Sequence, residues 1–311
     1  MLVPFKNAME TVDAFEELLA SKNISIPKHP ESGADTLSLY RILQRIKSGE
    51  PTPHEDRRQE STAGAAIHDL AAKVLKVQKH PDFEMLIPHL EKLADGAVHL
   101  TQQRQYESAD TYNKLIELYW ACLLMANDLR IRLDHPTHSA GDNPDVISVQ
   151  EDKSRAYAFK TIQSHHTQSL LEHLKKGIEQ IERCDADEGI VVFNLTPYIL
   201  DADPWPAEGT YYQDWRVVWT ICRSMISGMI EQLIADNGQA EIDKIFAGKK
   251  TVGSILCLAI FTTVAKNPLT GNPVAMPIKM AVHIPVASKC NLAGDFYDEV
   301  NLANHAMQQN L

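Results

Sequence analysis

Cysteine is scarce in this chain and does not pair by pattern. Its 311 residues contain five, Cys122, Cys184, Cys222, Cys257 and Cys290, an odd number with no C-x-x-C spacing. That excludes a disulfide framework and a zinc ribbon, and it points to a reducing cytoplasm. Long apolar runs are missing too. The longest, around 254–264, falls well short of the roughly 20 residues a membrane span needs. The N-terminal MLVPFKNAMETVDAF carries a charge or an amide every few residues, where a signal peptide would have an apolar core. The expectation is a cytoplasmic protein with no membrane partner. There is no excess of basic residues: the formal net charge is −11. This weighs against a broad phosphate-binding surface, which needs cations to neutralise the backbone. Internal repeats, low-complexity tracts and a G-x-S-x-G elbow are absent. Gly248-Lys249-Lys250-Thr251 looks like the end of a phosphate-binding loop, but Asp243 stands where its first glycine should be and the segment leads into a strand, so that reading is rejected.

What the chain does have is apolar content, 44%, enough for one large core or two modest ones. Apolar residues at Met9, Val12, Phe15, Leu18 and Leu19 predict a helix over 8–22, ended by Pro27 and Pro30. A second helix is expected from an Asp35 N-cap to Gly49, followed by the breaker 49–53. Further helices are expected over 54–77 and 83–96. Residues 1–105 therefore read as a helical N-terminal region without evident chemistry.

Residues 106–311 read as an α/β domain. A strongly apolar helix over 106–130 contains Glu117 and leads into a short strand at Ile131-Arg132-Leu133. The loop after it includes His135 and His138, which lack cysteine partners and make a poor zinc pair. Two alternating runs follow, Val146–Val149 and Ala156–Phe159, joined by the polar turn 150–154, and these predict a β-hairpin. Pairing them antiparallel brings Asp145, at the start of the first strand, and Lys160, at the end of the second, to one end of a sheet. A helix over 169–184 and the continuous apolar run Gly189–Leu195, expected of a strand buried on both faces, come next. Beyond them, a helix over 212–235, a short helix near 240–246, strands over 252–264 and 278–286 in the same sheet, and a helical tail from Leu292 complete the reading.

The order helix, three strands, helix, strand resembles the αβββαβ core of the PD-(D/E)xK, restriction-endonuclease-like superfamily, over about residues 107–196. Asn143-Pro144-Asp145 is similar to the family's PD half-motif, and Ala158-Phe159-Lys160 occupies the place of its (D/E)xK half-motif. Glu117 matches an acidic residue that many members supply from the preceding helix, and Gln180 a glutamine that some branches carry on the following one. Pro81-Asp82 shows how cheaply the dipeptide alone arises. The departure from the pattern is Ala158, where the family has a carboxylate.

The resemblance implies a mixed central sheet, extended here by C-terminal strands, and a nuclease-like activity on DNA or RNA that uses Mg or Mn. Asp145 would be the principal metal ligand, Glu117 a second ligand replacing the missing carboxylate, Lys160 the group that positions water or offsets transition-state charge, and Gln180 an orienting group. An inactive descendant acting as a binding module is the alternative. Each residue also has a plain structural reading: Asp145 as a strand-initiating cap, Lys160 as a solvated lysine, Glu117 facing solvent or paired with Lys114, and Gln180 as a helix-surface residue.

Overall fold

The computed structural model describes residues 5–29, 38–48, 57–96, 106–136, 143–202, 204–207 and 209–309. The expected Asp35 cap, the breaker at 49–53 and His138 lie outside them. The chain forms two compact units. The first comprises residues 1–130, 135–137 and 305–311, and the second residues 131–134 and 138–304.

The first unit is helical: α1 (Phe5–Ser21), α2 (Leu39–Ser48), α3 (Arg57–Val77), a 3-10 turn (Phe83–Leu86), α4 (Ile87–Ala94) and α5 (Tyr106–Met125). On α1 the residues Val12, Phe15 and Leu19 are buried, whereas Met9 stays exposed. This helix stops before Pro27 is reached, because Asn23 takes a left-handed conformation (φ 60°) and the Ile24 N–H bonds back to the Leu19 carbonyl, a left-handed C-terminal cap. The single helix expected over 83–96 is two pieces. Pro88, in the first turn of α4, has no N–H to extend the preceding turn but suits a helix start. Similarly α5 ends at Met125 rather than Arg130, with Asp128 left-handed (φ 60°). The expected domain boundary at 105/106 lies ahead of α5, which packs against α3 and α4 within the first unit.

The second unit is mixed α/β. Its six strands, β1 (Arg130–Leu133), β2 (Val146–Gln150), β3 (Lys153–Thr161), β4 (Glu188–Asn194), β5 (Thr251–Lys266) and β6 (Pro273–Pro285), lie side by side in sequence order. The β2–β3 pair is antiparallel, β3–β4 and β4–β5 are parallel, and β5–β6 is antiparallel. Around them run α6 (Thr167–Arg183), a short α7 (Thr196–Asp201) that the sequence did not suggest, α8 (Trp215–Asn237), α9 (Gln239–Phe246) and α10 (Gly294–Gln308). The hairpin turn is tighter than expected. Gln150 pairs with Lys153, so only Glu151 and Asp152 form the loop, and Glu151 takes the positive φ (51°) that a two-residue turn requires.

The two faces of the sheet differ. Toward α6 point Ala156 and Ala158, which join a cluster with Leu174, Ile178 and Ile181 of the helix. Glycines set how closely α6 approaches: a Cβ built on Gly177 would stand 2.8 Å from Val191 Cγ1, and one on Gly189 would stand 2.6 Å from Ile181 Cγ2. Toward α10 point Arg155 and Tyr157. The Arg155 guanidinium reaches Glu299 (2.8 Å), Asp295 (2.6 Å) and Glu188 (3.0 Å). Glu299, buried, also accepts from the Tyr157 hydroxyl at 2.6 Å and from Ser148 at 2.5 Å. Every charge in this group has hydrogen-bonded partners, which is what makes its burial tolerable. At the edge of the sheet, β6 carries Pro273, Pro277 and Pro285, all at positions of the same parity. A proline lacks the donor a ladder needs, so these positions are the ones whose amides face away from β5.

Candidate functional site

Continuing the β2–β3 register one step past Val146↔Tyr157 sets Asp145 opposite Ala158. Side chains alternate along a strand, so Asp145, Ala158 and Lys160 all face α6, the helix that carries Gln180. Three of the four expected residues therefore come together at one corner of the sheet. Asp145 is nearly buried, and its Oδ2 accepts the Phe159 N–H at 2.6 Å. The Lys160 ammonium donates to the Phe159 carbonyl at 3.0 Å and to Gln180 Oε1. Gln180 is buried rather than a surface residue, and Lys160 is half-buried rather than solvated. His173, two turns before Gln180 on the same side of α6, feels the same lysine: burial, then the charges of Lys160 and Lys176, hold its pKa below the ordinary histidine value.

Ala158 is fully buried in the apolar cluster beneath α6. The position that the family pattern fills with a carboxylate is here a core position, and the small residues Ala156, Gly177 and Gly189 around it are those that let helix and sheet approach closely.

Glu117 lies in the first unit. Its carboxylate takes Lys114 Nζ at 3.0 and 2.9 Å and lies 3.2 Å from His89 Nε2, and all three side chains are buried. Of its two plain readings, pairing with Lys114 is the one observed. Histidine as a further partner had no signal in the sequence, since His89 is 28 residues away on another helix. Among the described residues no three His, Cys, Asp or Glu side chains converge as a metal ion would require.

Five of the basic residues along this stretch are matched by acids. Arg130 bonds to Asp82 at 2.5 Å, Arg132 to Asp185 at 2.7 Å, Lys153 to Asp295 at 2.7 Å, and Lys175 lies 3.8 Å from Glu241. Arg155 holds its three carboxylates, as above. Gly248 (φ 72°) forms the turn into β5, so the segment resembling a phosphate loop leads into a strand as anticipated. Among the described residues no helix is long and apolar enough to cross a membrane. Compared with protein-family models, with curated proteins and with solved structures, the chain matches none.

Proposed function

We propose that this chain is a divergent PD-(D/E)xK-like, restriction-endonuclease-like protein whose corner no longer performs phosphodiester chemistry, and that it acts as a non-catalytic interaction module. One observation carries this reading. The two residues nominated to hold metal and position water bind the two ends of a single residue's backbone, Asp145 the N–H and Lys160 the carbonyl of Phe159. Asp145 thereby ties the end of β3 to the start of β2, and Lys160, on β3 itself, ties that end to Gln180 of α6.

Two further facts support it. A hard cation such as Mg takes carboxylate and water oxygens, yet among the described residues the corner offers Asp145, already accepting an N–H, beside a buried alanine, and no three acidic, His or Cys side chains converge; that donor set does not suit a tightly held Mg or Mn ion. A phosphate backbone needs uncompensated cations, and Arg130, Arg132, Lys153, Arg155 and Lys175 each have an acidic neighbour. The test is direct. Purified protein with Mg or Mn should leave DNA and RNA intact, and Asp145→Ala and Lys160→Ala should not alter Mn binding measured by calorimetry. Metal-dependent cleavage abolished by both substitutions would overturn the reading.

That outcome would restore the second reading, a metal-dependent nuclease acting on DNA or RNA. What favours it is the grouping of Asp145, Lys160 and Gln180 on one face of the sheet, the arrangement the family resemblance calls for. In it Asp145 would hold the ion, Lys160 would face the developing charge and Gln180 would orient the lysine. Glu117, engaged by Lys114 and His89, would need to exchange those partners to act as the second carboxylate.

A further inference from the structure

Helix α8 buries one side, Val218, Cys222, Ile226, Met229, Ile230 and Leu233, against the sheet. Its opposite side is unusual for a solvated helix. Val217 and Ile221, one turn apart, are 48% and 45% exposed, whereas Trp215, at the helix start, lies on the side of Val218 and Cys222. Just after Val217 and Ile221 a groove of about 410 Å³ runs along the helix, between Trp219, Arg223 and Glu231, and at Gly228 a Cβ would meet nothing within 4 Å. Scattered exposed apolar residues need no explanation, but a concentrated set beside a shaped groove marks a contact surface.

We infer that this face of α8 pairs with α8 of a second copy of the chain, antiparallel, about a two-fold axis between Ser224 and Ser227. The choice of occupant rests on self-complementarity, which a two-fold interface demands. Val217, Thr220, Ser224, Ser227, Glu231 and Ile234 follow the alternating three- and four-residue spacing of a helical seam. An axis midway between Ser224 and Ser227 sets Val217 against Ile234 of the second copy, Thr220 against its Glu231, and serine against serine at the centre, where small side chains allow close approach. Ile221, on the flank, falls over the open notch at Gly228. Charge agrees: Arg216 is taken up by Asp214, and the other exposed arginine of the helix, Arg223, is in the first half and Glu231 in the second, so antiparallel pairing brings each Arg223 within a turn of the other copy's Glu231. Arg223 is already aligned along this side by the Trp219 ring, 5.4 Å away. One helix face per copy is a small interface, at the weak end of specific association, so the dimer forms at micromolar concentration.

Sedimentation across the micromolar range tests this on the full chain. The wild type should pass from monomer to dimer as concentration rises. Arg223→Glu and Glu231→Arg should each weaken dimerisation at least tenfold, because each places like charges across the axis, and the double charge swap should restore it. Both positions are surface-lining, and circular dichroism melts would confirm that the variants stay folded. A chain that is monomeric at every concentration, a dimer indifferent to the single reversals, or loss in both singles without rescue in the double would each overturn the proposal. None of these outcomes depends on whether the Asp145–Lys160 corner cleaves nucleic acid.

Discussion

Replacing Ala158 by glutamate would complete the family pattern, and the structure says that it should damage the protein instead. The Ala158 Cβ faces α6 among Ile178, Ile181 and Leu174, with no exposure. One added methylene and a carboxylate must enter a space that glycine-mediated contacts already close. Overpacking of this kind costs about 1–3 kcal/mol, and a carboxylate kept ionised in such a place costs several kcal/mol more. Together these approach the whole of a typical domain stability of about 5–15 kcal/mol. The carboxyl can avoid the charge penalty by staying protonated, its folded pKa raised above the unfolded value of about 4.3. The sign then follows. Below that value both states are neutral and only the packing cost remains; as pH rises the unfolded chain releases its proton while the folded one holds it, and stability falls. Urea unfolding followed by circular dichroism at pH 4.5 and pH 8 should show Ala158→Glu losing more stability at the higher pH, and Ala158→Gln losing a similar amount at both. A glutamate variant as stable as wild type at pH 8, or one that gains Mn-dependent cleavage of DNA or RNA, would refute the argument that position 158 is core.

Gly177→Ala should lower stability by about 1–2 kcal/mol, although alanine in a helix interior is ordinarily about 1 kcal/mol better than glycine; a raised urea midpoint would contradict the close approach to Val191. Arg155→Met should cost about 3–5 kcal/mol by leaving the buried Glu299 without its cation, and adding Glu299→Leu should recover much of the loss, a coupling that a double-mutant cycle reads directly. Glu117→Ala should be comparably harmful to the helical unit, since it strands Lys114 in the interior, whereas a solvent-facing glutamate would tolerate the change; thermal unfolding distinguishes the two. Asp187 accepts from the backbone N–H and the hydroxyl of Ser154, which holds its carboxyl below the usual range. Its contribution is therefore present above the unfolded value of about 3.9 and is lost as pH falls through the depressed one. Asp187→Asn should flatten the acid limb of a stability–pH profile.

Periodicity revealed most of the second unit because its strands are either alternating or wholly apolar, and because its hairpin is local. The register of β2 and β3, and hence the meeting of Asp145, Lys160 and Gln180, followed from that hairpin and the helix after it. The uses of those side chains did not. Whether a carboxylate binds a metal or the N–H of Phe159 depends on angstrom-scale positions that spacing does not encode. Glu299 was invisible for another reason: its partner Arg155 lies 144 residues away, and nothing in a helical tail distinguishes a glutamate that faces a buried arginine from one that faces water. The end of α5 was misread, at Arg130 for Met125, where Asp128 adopts a left-handed conformation, a choice tertiary contacts make more than composition does; α1 ends within a residue of expectation, but through Asn23 rather than through the prolines. Alanine at 158 looked like a missing catalytic group; seen with Gly177 and Gly189 it is one member of a set of small residues.

The prolines of β6 bear on how copies of this protein can associate. An exposed strand edge invites any extended peptide, including another molecule's own edge, to continue the sheet indefinitely. Here a would-be seventh strand finds no amide hydrogen to accept at Pro273, Pro277 or Pro285, at the two ends and near the first third of the line. The β6 edge thus resists open-ended growth, whereas a two-fold contact between helical surfaces would close on itself and stop at two.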